Sequence, residues 1–232
     1  MVSIREIKDS FLHLLFPHVC DGCGSDLLDK HSMLCLQCME AIPQTDFEKH
    51  PGNPIEKRFY GRLPLEQATA SYYFTKESLV QKLVHQVKYK GNKELGIQLG
   101  QLMGDLLKRS GRFSVDAMIP LPLFPVKEKK RGYNQSMLLC EGIRSQLEVP
   151  ILNKVITRPE HTETQTKKGR IERWKNMEGK FVLTDPAAIS GKHILLVDDV
   201  ITTGATLESC GTALLKAENV KLSVACLCYS AR

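Results

Sequence analysis

Near the end of the chain, the apolar run His193-Ile194-Leu195-Leu196-Val197 ends in two acids, Asp198 and Asp199, and passes into the small-residue string "VITTGAT". A short apolar run bounded by turn signals reads as a strand buried on both faces. Helical spacing resumes from Ala205 to Lys216. A buried strand that turns directly into a helix belongs to a parallel sheet with helices on its faces. The rest of the chain fits that plan. "SYYF" (71–74), "VDAMIP" (115–120), "ILNKVIT" (151–157), "HILLVDD" (193–199) and "KLSVACLC" (221–228) read as strands. Between them, Thr75 caps a helix with apolar residues at Leu79, Val80, Leu83, Val84 and Val87 that Gly91 ends, and further helices are expected over 94–109, 134–147 and 205–216. Gly96, Gly100 and Gly104 share one face of the 94–109 helix and imply close packing against a neighbour.

Ligands of parallel sheets bind beyond the carboxyl ends of the strands, where Asp198 and Asp199 fall. The residues that follow, Thr202, Thr203, Gly204, Ala205 and Thr206, have what a phosphate cradle needs: hydroxyls, small side chains, a glycine and the free N–H groups of a helix start. Acids beside a phosphate repel it unless they meet donors or a cation on the same ligand. A ribose 5-phosphate meets both conditions, with its 2- and 3-hydroxyls on the acids and its phosphate in the loop. Ordinary helix capping explains the same residue types. A Walker site does not, because the nearest Gly-rich string, "GNKELGIQ", has Ile97 where lysine is required.

Net charge narrows the ligand. The chain of 232 residues carries +6 overall. Leu121–Gln135 contributes four basic residues and one acidic, Arg158–Lys180 seven basic and four acidic, and the remainder sums to zero. Charge confined to two loops suits a polyanionic ligand held between them more than a general affinity for nucleic acid.

Eight cysteines fall into two groups. Cys140, Cys210, Cys226 and Cys228 sit in apolar sequence and read as core filling. Cys20, Cys23, Cys35 and Cys38 have the spacing C-x2-C-x11-C-x2-C, in which each pair forms a knuckle and two knuckles complete a tetrahedral zinc site. His18 and His31 are alternative ligands, but four thiolates suffice, and a closed site of that kind holds structure and does no chemistry. Disulfides and a redox pair are the competing readings; the presence of two pairs disfavours the second, and with no convincing signal peptide and no apolar run approaching the roughly 20 residues of a membrane span, the expectation is a reduced, cytoplasmic protein. The organisation expected is a zinc-binding lobe over 1–45, a connector rich in Pro and Gly over 46–75, and an α/β domain over 76–232.

"ILLVDDVITTGAT" resembles the phosphoribosyl pyrophosphate (PRPP) motif of type I phosphoribosyltransferases. Together with the four-cysteine start, "LVHQVKYKGNKELG", "IPLPLFPVKEKKRGYNQS" and "TQTKKGRIERWKNMEGKF", it makes the chain similar over nearly its full length to the competence protein F (ComF) family. The resemblance implies a type I phosphoribosyltransferase fold, a central parallel sheet flanked by helices, preceded by a small zinc lobe. It also implies a link to natural transformation, with single-stranded DNA and DNA-uptake proteins as partners alongside PRPP. Asp198 and Asp199 would hold the ribose hydroxyls and Thr202–Thr206 the 5-phosphate. Pro120, Leu121 and Pro122, running on to Leu123, would receive pyrophosphate, with Arg131 close behind. The segment 164–180 would close over the site and bring Lys167, Lys168, Arg170 and Arg173. Breaking the bond to pyrophosphate loads negative charge on the leaving group, so Mg2+ and fixed cations would carry most of the catalysis. In the other reading the pocket is regulatory or vestigial and the protein handles single-stranded DNA, with Tyr72, Tyr73 or Trp174 as stacking surfaces.

Overall fold

The computed structural model describes residues 18–26, 28–29, 32–159 and 181–230. Its elements run α1 (Leu36–Glu40), a 3-10 turn (Phe47–Lys49), α2 (Pro54–Phe59), β1 (Ala68–Tyr73), α3 (Leu79–Tyr89), α4 (Lys93–Ser110), β2 (Ala117–Pro120), α5 (Pro125–Arg131), α6 (Gln135–Leu147), β3 (Ile156–Thr157), β4 (Val182–Leu183), β5 (His193–Ile201), α7 (Ala205–Leu214) and β6 (Lys221–Tyr229). Two compact units meet in sequence between Pro43 and Gln44.

The larger unit is built on a four-stranded parallel sheet in the order β1-β6-β5-β2. The two most apolar runs, β5 and β6, occupy its centre, in register at Leu196 and Val224, because only central strands hide both faces. On one face Ile194 and Leu196 share a core with Leu207, Cys210 and Leu214 of α7 and with Ile55 and Phe59 of α2. Val84, Val87, Leu99, Leu139 and Leu227 converge on the other face, beneath α3, α4 and α6. The glycine face of α4 packs as its spacing predicts: a Cβ on Gly100 would lie 2.4 Å from the carbonyl oxygen of Leu139 on α6. Cys140, Cys210, Cys226 and Cys228 are all fully buried.

Several local expectations are corrected. α3 is capped by Ser78, not Thr75; Ser78 Oγ accepts from the Gln81 N–H at 3.2 Å and donates to the Thr75 carbonyl. The segment 151–157 does not form a strand of the main sheet. Only Ile151 pairs with Met118, the exposed Asn153 and Lys154 interrupt the apolar run, and Ile156–Thr157 turns away to pair antiparallel with β4. The basic segment 121–135, expected as a loop, contains helix α5, which Pro125 opens and Gly132 closes at a φ of 81°. Residues 46–75, expected as a connector, supply α2 and the edge strand β1 and belong to the larger unit. Asn53 anchors them, its amide donating to the carbonyls of Phe47, His50 and Ala68 while its oxygen caps α2.

The smaller unit contains α1 and buries Leu34, Ile42 and three of the four clustered cysteines. No described helix is long and apolar enough to cross a membrane.

Candidate functional site

β5 carries Asp198 and Asp199 to the carboxyl end of the sheet, where both are buried, 9% and 7% exposed. Adjacent strand residues point to opposite faces, so the two acids meet different surroundings. Asp198 Oδ1 accepts from Ser136 Oγ on α6 at 3.1 Å and from the Asp199 N–H at 2.8 Å. Burial, reinforced by the charge of Asp199, pushes Asp198 up to about 7, against the opposing pull of the Asp199 amide, Lys88 and Ser136. Asp199 Oδ2 lies 2.8 Å from Lys88 Nζ at the end of α3 in an ion pair, and has no hydrogen-bond partner among the described residues. A buried carboxylate oxygen without a hydrogen bond is unusual, and a ligand hydroxyl satisfies it well.

The loop after β5 is shaped by its glycine. Gly204 sits at a φ of 78°, and a Cβ there would lie 3.0 Å from the Phe59 ring. Gly204 opens α7, whose first turn has no side-chain cap; the Thr203 hydroxyl makes only a long 3.4 Å contact with the Ala205 N–H. Uncapped amides at a helix start are anion receptors. The backbone on the other side of this loop is clamped by two arginines at and just after α2. Arg58 donates to the Thr202 carbonyl and, at 3.1 Å, to Tyr229 Oη. Arg62 donates to the Thr203 carbonyl at 3.3 Å and pairs with Glu208. The structure thus gathers Thr202, Thr203, Gly204, Ala205 and Thr206 around one helix start, beside the acids.

Pro120 ends β2 in register with Val197, and the Leu121 N–H continues the ladder to the Val197 carbonyl at 2.8 Å. Asn134, the N-cap of α6, donates to the Leu121 carbonyl at 2.9 Å and so fixes Pro120, Leu121 and Pro122 between the sheet and α6. Arg131 lines a basin of about 330 Å³ whose walls also include Lys88, Lys127 and Lys130. A larger cavity of about 620 Å³ opens beside Pro120 and Pro122 and is edged by Glu94, Glu128, Glu141 and Arg158. Arg158 lies on the Phe124 ring, 3.6 Å from its centroid, with its Nε buried and without a hydrogen-bond partner among the described residues. Lys167, Lys168, Arg170, Arg173 and Trp174 lie outside the described residues. Tyr72 is core, and Tyr73 packs edge-on against Phe47.

Residues 135–232 match the family described as Phosphoribosyl transferase domain. Over 228 residues, 93% of this chain and 98% of its relative, the sequence is 30% identical to the DNA utilization protein YhgH of Salmonella typhimurium. It is 29% identical to Competence protein F of Haemophilus influenzae over 87% of this chain and 80% of that one. The chain belongs to the ComF family. Glutamine phosphoribosylpyrophosphate amidotransferase from B. subtilis, at 15% identity, aligns with 60% of this chain and 30% of its own at a TM-score of 0.42.

The four N-terminal cysteines of this ComF-family chain form a real cluster. Their sulfurs lie within 4.8 Å of one another, with Cys23 and Cys35 at 3.7 Å. A tetrahedron with metal–sulfur bonds of about 2.3 Å has edges of about 3.8 Å, so the arrangement is compatible with structural zinc. Burial works against the Cys20 thiolate, but the N–H groups of Cys35, Cys23 and Gly22 prevail and bring it down to about 6. Cys38, which lacks that backbone support, is pushed up to about 12 by burial and by its neighbouring sulfurs. His18 is engaged elsewhere, with Nε2 2.8 Å from the Ser32 carbonyl oxygen; His31 lies outside the described residues.

Sequence reasoning missed Lys88, Ser136, Arg58 and Arg62. Lys88 and Ser136 lie within strings that carry the family resemblance, yet nothing local marks either as a partner of an acid. The arginines sit in the stretch read as connector, 144 residues from the loop that Arg58 holds.

Proposed function

We propose that this ComF-family protein binds PRPP, with Mg2+, at the carboxyl end of β5 and transfers its phosphoribosyl group to a nucleophile in the uptake and use of DNA. The observation that carries this reading is two buried carboxylates beside an uncapped helix start, one with a carboxylate oxygen still lacking a hydrogen bond. Ribose hydroxyls would donate to Asp198 and Asp199, and the 5-phosphate would accept from the amides of Thr202–Thr206. Pro120, Leu121 and Pro122 would border the pyrophosphate, with Arg131 supplying charge and Lys167, Lys168 and Arg170 closing from the 164–180 segment. Mg2+ takes oxygen ligands and would neutralise the departing diphosphate. Asp198 must give up the proton its burial favours, so PRPP binding is expected to strengthen from about pH 6 to pH 8. The four-cysteine lobe would hold zinc, in a reducing cytoplasm that keeps its thiolates available.

The relatives' names, DNA utilization protein and competence protein, prompt a second reading, in which the pocket would sense PRPP and the protein would act on single-stranded DNA without transfer. Pyrophosphate release from PRPP separates the two. Release with some member of a broad panel of bases and amines, lost in Asp199→Asn with zinc content unchanged, supports transfer. No release with any of them, from a protein that still binds PRPP, supports sensing.

A further inference from the structure

The loop between β5 and α7 is bonded on one side only. Four successive carbonyls are occupied: that of Ile201 accepts from the Ser230 N–H at 3.0 Å, that of Thr202 from Arg58, that of Thr203 from Arg62 at 3.3 Å, and that of Gly204 from the Glu208 N–H at 2.9 Å. In a trans peptide the C=O and the next N–H point in opposite directions, so fixing a carbonyl also fixes the amide that follows it. The amides that follow the first three, those of Thr202, Thr203 and Gly204, have no acceptor among the described residues.

Ser230 directly follows β6 and Glu208 lies within α7, so their bonds come with the sheet and the helix. The two arginines are different: Arg58 lies in α2 and Arg62 just after it, 144 and 141 residues from the carbonyls they hold. Arg58 also bonds Tyr229 Oη at 3.1 Å, lies 5.3 Å from the centroid of that ring, and pairs with no carboxylate among the described residues. Arg62 shares its charge with Glu208. A cation on a carbonyl polarises the peptide and makes the following N–H a better donor. We infer that Arg58 and Arg62 are positioning residues for a phosphate monoester: from behind the loop they hold the Thr202 and Thr203 carbonyls, so that the Thr203 and Gly204 amides donate to a phosphate that neither arginine touches. The inference rests on reading Thr202–Thr206 as the 5-phosphate site, which the buried acids of β5 carry. Phosphate affinity is then set in part by a segment remote in sequence from the loop, with Arg58, whose charge is unshared, the stronger of the two.

The test titrates the full-length, zinc-loaded protein with ribose 5-phosphate and follows the backbone amide resonances of residues 202–204, for wild type, Arg58→Met, Arg58→Lys and Arg62→Met, with thermal melting to confirm folding. In wild type, the Thr203 and Gly204 amide protons should move downfield as the ligand saturates. Arg58→Met should weaken ribose 5-phosphate about tenfold, the loss of one charge-assisted hydrogen bond, and abolish the Thr203 shift. Arg58→Lys, which keeps a cation for the carbonyl, should recover part of both. Arg62→Met should weaken binding about threefold and reduce the Gly204 shift alone. A merely structural role would change the melting temperature without removing the response of one amide. Ribose 5-phosphate affinity or a Thr203 shift left unchanged in a folded Arg58→Met protein overturns the inference and leaves the 5-phosphate reading standing. Should Arg58→Met fail to fold, Arg62→Met decides by the same criteria applied to Gly204. Failure of folded wild type to bind ribose 5-phosphate overturns the 5-phosphate reading, and the inference with it.

Discussion

The smaller unit buries Leu34, Ile42 and three cysteines of its sulfur cluster, Cys20, Cys35 and Cys38, whereas the larger unit encloses a four-stranded sheet between helical layers, with apolar side chains on both faces. Among the described residues of the first, three of the five buried hydrophobics just named are cysteines of the cluster, so residues that would bind metal are also residues that hold the fold. In the second, packing is independent of the acids at the end of β5. That independence lets the larger unit keep a carboxylate, Asp198, whose burial opposes its ionisation. The larger unit therefore has room for function to cost stability, and the smaller one does not.

The largest effect is expected from Cys35→Ser. Zinc should fall from about one per chain to none, and residues 18–43 should lose amide protection while the melting transition of the larger unit persists. Loss of both units together would show that the two are not independent.

Asp198→Asn should act in the opposite direction. Burial, reinforced by Asp199, pushes Asp198 up to about 7 in the folded chain from the usual carboxylate value of about 4, so between those values the folded state holds a proton that the unfolded state has released. Stability falls as pH rises through that window, and the full penalty is present above it. The variant should melt higher than wild type at pH 8, by an amount on the order of a few kcal/mol, and the difference should vanish towards pH 4. A variant less stable than wild type at pH 8 would mean that Ser136 and Lys88 more than offset the burial.

A smaller loss is expected from Gly100→Ala. Its Cβ would push against the Leu139 backbone at 2.4 Å, and forcing α4 from α6 should cost about 1–3 kcal/mol in thermal or urea unfolding. Smallest of all should be Arg62→Ala, which removes a partly exposed ion pair to Glu208 and is expected to cost under about 1 kcal/mol.

What could be read from the sequence was what is local. The strand, glycine and helix start around Gly204 are specified by neighbouring residues, as are the two cysteine knuckles and the glycine face of α4. Lys88, Arg58 and Arg62 act on residues that chain crossing brings to them, so no spacing reveals them. Two errors had legible remedies. Pro125 and Gly132 bracket α5 with a helix's usual start and stop, which the run of charge obscured, and Asn53-Pro54 announces a capped helix within a segment dismissed for its prolines. The failure at 151–157 has a different cause. An apolar run with two polar residues inside it suits a sheet edge as well as its interior, and tertiary pairing decided the matter.

The central claim is that the end of β5 recognises PRPP. Calorimetric titration of the intact protein with PRPP and Mg2+ tests it most directly: saturable binding, lost in a folded Asp199→Asn protein, is the predicted result, and no heat of binding to a folded wild-type protein at pH 8 would contradict it.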